Sequence, residues 1–222
     1  MRFLMAALTV FFGLAVSGAA VAHPHVWVKA RAELVFDNQN RMVAVRHVWR
    51  FDEGFSAYAT QGLDENGDGV LSRKELDTLA QLNMESLETF EYFTYVQNGS
   101  EDPAYGPPEE YWLTFEDGLL TLFFRLPMEK PVAADPVKGF KDLTVEVFDP
   151  TFFVDLTFVE DDPVSLAGAV ESCQAGLEPR KELDIFQTQL LAQIPANENI
   201  PEDIAPAQGD LSNTIRVNCG AS

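Results

Sequence analysis

Twelve consecutive residues hold the densest chemistry of this chain: Asp64-Glu65-Asn66-Gly67-Asp68-Gly69-Val70-Leu71-Ser72-Arg73-Lys74-Glu75. Oxygen-bearing side chains fall at loop positions one, three, five, nine and twelve, namely Asp64, Asn66, Asp68, Ser72 and Glu75. Position seven, Val70, offers its backbone carbonyl, and Gly69 at position six permits the sharp turn that such a loop requires. A hard cation that takes six to eight oxygens at about 2.3–2.6 Å, with Glu75 closing the sphere through both carboxylate oxygens, fits this spacing. The pattern is that of an EF-hand loop for calcium. Magnesium, which demands a tight octahedron, fits it poorly.

Helices are expected on both sides. Phe51 to Leu63 places Phe55, Tyr58, Ala59 and Leu63 at helical spacing, and Ser72 is an N-cap with Glu75 three residues on. The outgoing helix carries Leu76, Leu79, Ala80, Leu82, Leu87 and Phe90. No second calcium loop accompanies the first, so this helix pair must lean on the rest of its domain. That favours a structural site over a sensor that opens.

The three histidines, His23, His25 and His47, form the second cluster of candidate ligands. Imidazole suits zinc, copper, nickel or cobalt. The amino-terminal Cu/Ni motif needs a deprotonatable amide at position two, which Pro24 lacks. If Phe36 pairs with Arg41 across a hairpin, His47 faces Ala30 on the apolar side, and His25 points to the other face. On that geometry His47 reads as a hydrogen-bonded core histidine beside Trp49.

Compartment follows from the start of the chain. Met1-Arg2, an apolar run from Phe3 to Val16 and Ala20-Val21-Ala22 read as a secretory signal peptide, residues 1–22, cleaved after Ala22. A periplasmic location is expected, with abundant calcium. Cys173 and Cys219, the only cysteines, are expected to form a disulfide in that setting. Net charge is −20 over the whole chain, one unit more negative once Arg2 is removed. Such a charge excludes nucleic acid as a partner and disfavours an anionic membrane surface. No stretch of the mature chain is long and apolar enough to embed in a membrane.

The elements that must position these groups read as α+β: β-hairpins forming an antiparallel sheet or sandwich, an inserted EF-hand helix-loop-helix and a C-terminal helix. Residues 23–50 form a hairpin around Asp37-Asn38-Gln39-Asn40, with Val43, Val45, His47, Trp49 and Phe51 on one face. Residues 51–95 form the helix-loop-helix. A β-rich block plus helix covers 110–194: Tyr111–Phe115 and Leu119–Leu126 flank Glu116-Asp117-Gly118, and Leu143–Phe148 and Phe152–Val159 follow. Pro103–Pro108 and Pro127–Pro136 read as loops. Pro179 opens a helix with Leu183, Phe186, Leu190, Leu191 and Ile194 on one stripe. Residues 195–222 read as a linker and a last strand, Thr214–Cys219. The span 23–222 is expected to be one compact domain.

His23-Pro24-His25-Val26-Trp27, the later His47-Val48-Trp49, and Phe51-Asp52-Glu53 leading into the acidic loop are three marks of a resemblance. Tyr92-Phe93-Thr94 and Asp149-Pro150-Thr151-Phe152-Phe153 add to them. Together they resemble the bacterial exported proteins grouped as domain-of-unknown-function family 1007, over nearly the whole mature chain. The resemblance implies the periplasmic component of an uncharacterised transport system, associated with nickel/cobalt or zinc transport proteins. It brings no catalytic residues.

Three readings result. The first is a calcium-stabilised accessory or solute-binding component that works with a membrane metal transporter. The second is a Cu/Zn/Ni/Co chaperone or sensor using the N-terminal histidines. The third is a copper-dependent oxidase built on His23. The chain lacks a serine elbow and a His-Glu-x-x-His run, so it reads as a non-enzyme.

Overall fold

A computed structural model describes residues 24–133, 140, 143–191, 193–194, 201 and 208–219. The expected leader at 1–22, His23 and most of the expected linker at 195–207 lie outside the described residues.

Strict alternation builds the first strand. In β1 (Val26–Phe36) the even positions from Val26 to Phe36 are buried, while Trp27, Lys29 and Arg31 are exposed. β2 (Met42–Phe51) returns antiparallel and buries Val45, His47, Trp49 and Phe51. The register differs from the expected one by two residues, so that His47 faces Ala32 and not Ala30. One residue of the shift comes from the turn, which closes with Asp37 N–H on the Arg41 carbonyl at 2.9 Å. The other comes from a bulge that leaves Val43 unpaired, with Phe36 opposite Met42. A two-residue slip preserves the face of every side chain, whereas a one-residue slip inverts it. Met42, and not Val43, is therefore the buried residue at the start of β2.

β4 (Glu109–Glu116) and β5 (Leu119–Val132) form the second hairpin. Asp117 at φ 54° and Gly118 at φ 79° supply the two left-handed residues of a tight type I′ turn. β5 runs past the expected end at Leu126 and through Pro127, because an irregularity in its pairing with β2 accommodates that proline. The expected loop at Pro127–Pro136 is thus partly strand.

The large sheet has the order β4-β5-β2-β1, extended at β1 by β7 (Val154–Phe158) and β8 (Val164–Ala167). Both additions run parallel to β1, so the sheet is mixed and not purely antiparallel. A second, antiparallel sheet has the order β3 (Thr94–Asn98), β6 (Leu143–Val147), β10 (Asn213–Cys219) and β9 (Cys173–Glu178). β3, β8 and β9 were not expected. One apolar core holds Leu34, Trp49, Leu122 and Phe124 of the large sheet with Val96, Val145 and Ile215 of the small one.

Helix α1 (Glu53–Ala59) is shorter than the expected Phe51–Leu63. Phe51 remains in β2, opposite Val28. Asp52 caps α1 by accepting from Phe55 N–H at 3.0 Å, and its other oxygen accepts from Trp27 N–H at 2.9 Å. Helix α2 (Arg73–Glu88) starts where expected and packs along β4. Its core residues are Leu76, Ala80 and Met84, whereas Leu82 and Phe90 are exposed, contrary to the expected stripe.

Helix α3 is confined to Ile185–Leu191. Pro179 does not open it: Arg180 N–H donates to the Asn213 side chain and Lys181 N–H to the Asp210 carbonyl, which holds that stretch beside β10. Asp184 caps α3 instead, accepting from Gln187 N–H at 2.8 Å. Leu183, Leu191 and Ile194 join Phe148, Phe152 and Leu211 in a satellite core, while Phe186 is exposed. A single helical turn, α4 (Gln208–Leu211), precedes β10.

Candidate functional site

The loop between α1 and α2 is curled by its own oxygens. Asp64 Oδ1 accepts from Gly67 N–H at 2.8 Å and Asp68 N–H at 3.2 Å, and its Oδ2 accepts from Gly69 N–H at 3.0 Å. Asn66 Oδ1 accepts from Asp68 N–H, and Asp68 Oδ1 from Val70 N–H, both at 2.8 Å. Gly67 and Gly69 adopt φ 71° and 81°, a region that side chains with a Cβ enter at a cost. Leu71 anchors the loop against the core, as do Leu63 and Phe55. The Val70 side chain is exposed, at 65 %.

Glu75 is committed elsewhere. Its Oε2 accepts from Ser72 N–H at 2.8 Å and from Ser72 Oγ at 2.7 Å, and its Oε1 from Glu65 N–H at 3.1 Å. Glu75 N–H in turn reaches Ser72 Oγ, which completes a capping box at the start of α2. Hydrogen bonds from the Ser72 side chain and backbone hold the Glu75 carboxyl below the usual range. Among the described residues no three His, Cys, Asp or Glu side chains are gathered so as to hold a metal ion. The donor chemistry nevertheless fits calcium: every candidate atom is a hard oxygen, and each carboxylate retains lone pairs beyond those used by the loop amides. A closed sphere requires Glu75 to exchange its Ser72 contacts for the ion.

The structure keeps the two described histidines, His25 and His47, apart. His47 is 1 % exposed within β2, stacked on Phe124 at 4.8 Å and edge-on to Trp49 at 5.4 Å. Its Nε2 lies 3.1 Å from Thr94 Oγ1. Burial lowers its pKa from 6.5 to about 3, so it is neutral at physiological pH. His25 precedes β1 and stacks on Phe153 at 4.8 Å. His47 thus sits in the core and His25 at the end of β1 beside β7. The proposed partner of His25, His23, lies outside the described residues.

Sequence reasoning missed the partner of His47. Thr94 follows a left-handed run, Glu91-Tyr92-Phe93, at φ 51°, 55° and 51°. Three such non-glycine residues in succession are costly and persist only where contacts over-determine them. Here Thr94 Oγ1 donates to the Tyr92 carbonyl at 2.8 Å, and Phe93 stacks on Trp49 at 6.2 Å. The cysteine pair is as expected. Cys173 and Cys219 are directly opposed in β9 and β10 and are joined as a disulfide.

Among the described residues no helix is long and apolar enough to cross a membrane. An "Uncharacterized protein" of Haemophilus influenzae is 22 % identical over 175 residues, which cover 78 % of this chain and 81 % of that protein. An "Uncharacterized 15.5 kDa protein in trpE 3'region" of Spirochaeta aurantia is 30 % identical over 103 residues, 46 % of this chain and 70 % of its own length. One protein family, described as "Protein of unknown function (DUF1007)", matches residues 8–219. A match across nearly the entire length, disulfide strands included, places the chain plainly: it belongs to the DUF1007 family.

Proposed function

We propose that this chain is an exported calcium-binding protein, acting outside the cytoplasm as an accessory or solute-binding component of a metal-ion transport system. Calcium occupies the loop through Asp64, Asn66, Asp68, the Val70 carbonyl, Ser72 and Glu75. The observation that carries this reading is the curled loop itself, with Gly67 and Gly69 in left-handed turns and the Asp64, Asn66 and Asp68 oxygens already turned onto the loop amides. The transport role rests on the family resemblance, and export rests on the leader at 1–22. In this reading the ion is structural. α2 is anchored through Leu76, Ala80 and Met84, so the helix pair has no free face to open.

Elemental analysis of the protein purified from the periplasm, without chelator or histidine tag, tests the reading. One equivalent of calcium that disappears in Asp64→Ala is the expected result. A protein free of calcium, or one carrying copper, zinc, nickel or cobalt that depends on His23 and His25, would overturn it in favour of a transition-metal chaperone or a copper enzyme.

A further inference from the structure

We propose that the outer face of the large sheet is a docking surface for an acidic protein partner. The chain is strongly acidic, with Lys and Arg together at 15 against 35 Asp and Glu. Yet on β5, β2 and β1 the face turned away from the core carries Lys29, Arg31, Arg46, Arg50 and Arg125 against two carboxylates, Glu33 and, towards the far end of β5, Glu129. Strand register makes these neighbours. Arg46 stands opposite both Glu33 and Arg125, Arg50 opposite Lys29, and Arg31 opposite Val48.

Like charges directly opposed across strands repel, and the molecule offsets this only at the ends of the row. Arg46 pairs with Glu33 at 2.7 Å, and Arg125 pairs with Glu109 of β4. Lys29 and Arg31 reach neutral oxygens, the Thr157 hydroxyl and the carbonyls of Asp161 and Asp162. The Arg50 guanidinium is exposed and has neither a hydrogen bond nor an ion pair among the described residues. Lys29, Arg31 and Arg50 thus make no ion pair among the described residues, although Arg31 lies on the acidic Asp161–Asp162 turn, and a partner's carboxylates complete the pattern.

Large side chains accompany the charge. Trp27 is 51 % exposed on the same face of β1. Trp112 stacks on Phe123 at 4.9 Å and is covered by the Arg73 guanidinium at 4.9 Å. Trp and Arg are the residues enriched at the energetic centres of protein interfaces. A uniform anionic leaflet suits the face less well, since it repels Glu33 and Glu109 along with the acidic remainder of the molecule. A protein can place its acids opposite Arg31 and Arg50 alone.

The test is titration of the full chain with oligoglutamate, followed by calorimetry and by the emission of Trp27. Binding is expected to weaken about tenfold in Arg50→Glu or Arg31→Glu, while Lys130→Glu, away from this face, binds like the parent. Raising salt from about 0.1 M to about 1 M shortens the Debye length from roughly 10 to 3 Å and should abolish binding. Matching melting temperatures certify the folding of each variant, with Arg50→Gln in reserve. No oligoglutamate binding, equal loss in Lys130→Glu, or Arg50-dependent binding to phosphatidylglycerol vesicles in place of the peptide would each overturn the proposal.

Discussion

Thr94 Oγ1 lies 3.1 Å from His47 Nε2 and donates its single hydrogen to the Tyr92 carbonyl. The hydroxyl must therefore accept from the imidazole, which fixes the neutral tautomer with its proton on Nε2. A residue with the chemistry of a metal ligand is thereby tied to β3 and given a structural task, joining the two sheets through the core.

A pH dependence follows. Burial lowers the folded-state pKa of His47 to about 3, below the unfolded value of 6.5. Over that interval the unfolded chain binds the extra proton, so stability is fully present above pH 6.5 and is lost as pH falls towards 3. Between pH 6.5 and 5 the loss is about 2 kcal/mol. Urea unfolding at the two pH values should show this loss in the parent and not in His47→Gln. Equal losses in both would refute the assignment.

The disulfide closes a loop with a sequence separation of 46. In the chain-entropy model that constraint contributes roughly 4 kcal/mol. Cys173→Ser is expected to lower stability by about this amount under oxidising conditions and to abolish the effect of reductant. A parent protein that unfolds identically with and without reductant would contradict it.

Gly168 sits at the end of β8 with φ 76°, and a Cβ there would meet the Phe36 carbonyl oxygen at 2.4 Å. Gly168→Ala should destabilise by about 2–4 kcal/mol, because backbone must move against β1. Gly62, at φ 78° with open space around it, bears only the conformational penalty, about 1–2 kcal/mol for alanine. Chemical denaturation of the two variants separates close approach from backbone strain; equal costs would remove the packing argument.

Much of this architecture could be read from the residues, and the failures have identifiable causes. Alternation from Val26 to Phe36 revealed β1 and its faces, and Ser72 with Glu75 marked the start of α2. The cysteine spacing could not reveal β9: Cys173–Glu178 does alternate, but it is short, holds Gly176 and pairs with a strand far along the chain. Parallel pairing of β7 and β8 on β1 was equally hidden, because no local pattern encodes which edge a strand joins. The left-handed run Glu91-Tyr92-Phe93 contains no Gly, Asn or Asp, the residues that announce such φ values. At the candidate site the ligand spacing was legible. That Glu75 caps α2 through Ser72 was legible too, but which of its two tasks prevails depends on the ion, not on the sequence.

The most direct measurement is thermal unfolding with calcium and with chelator, in the parent and in Glu75→Gln. At a hundredfold excess over Kd, binding to the folded state alone adds roughly 2.7 kcal/mol, so the parent should melt several degrees higher with calcium, and Glu75→Gln should show no such difference. Superimposable parent curves under the two conditions would contradict a calcium site at Asp64–Glu75.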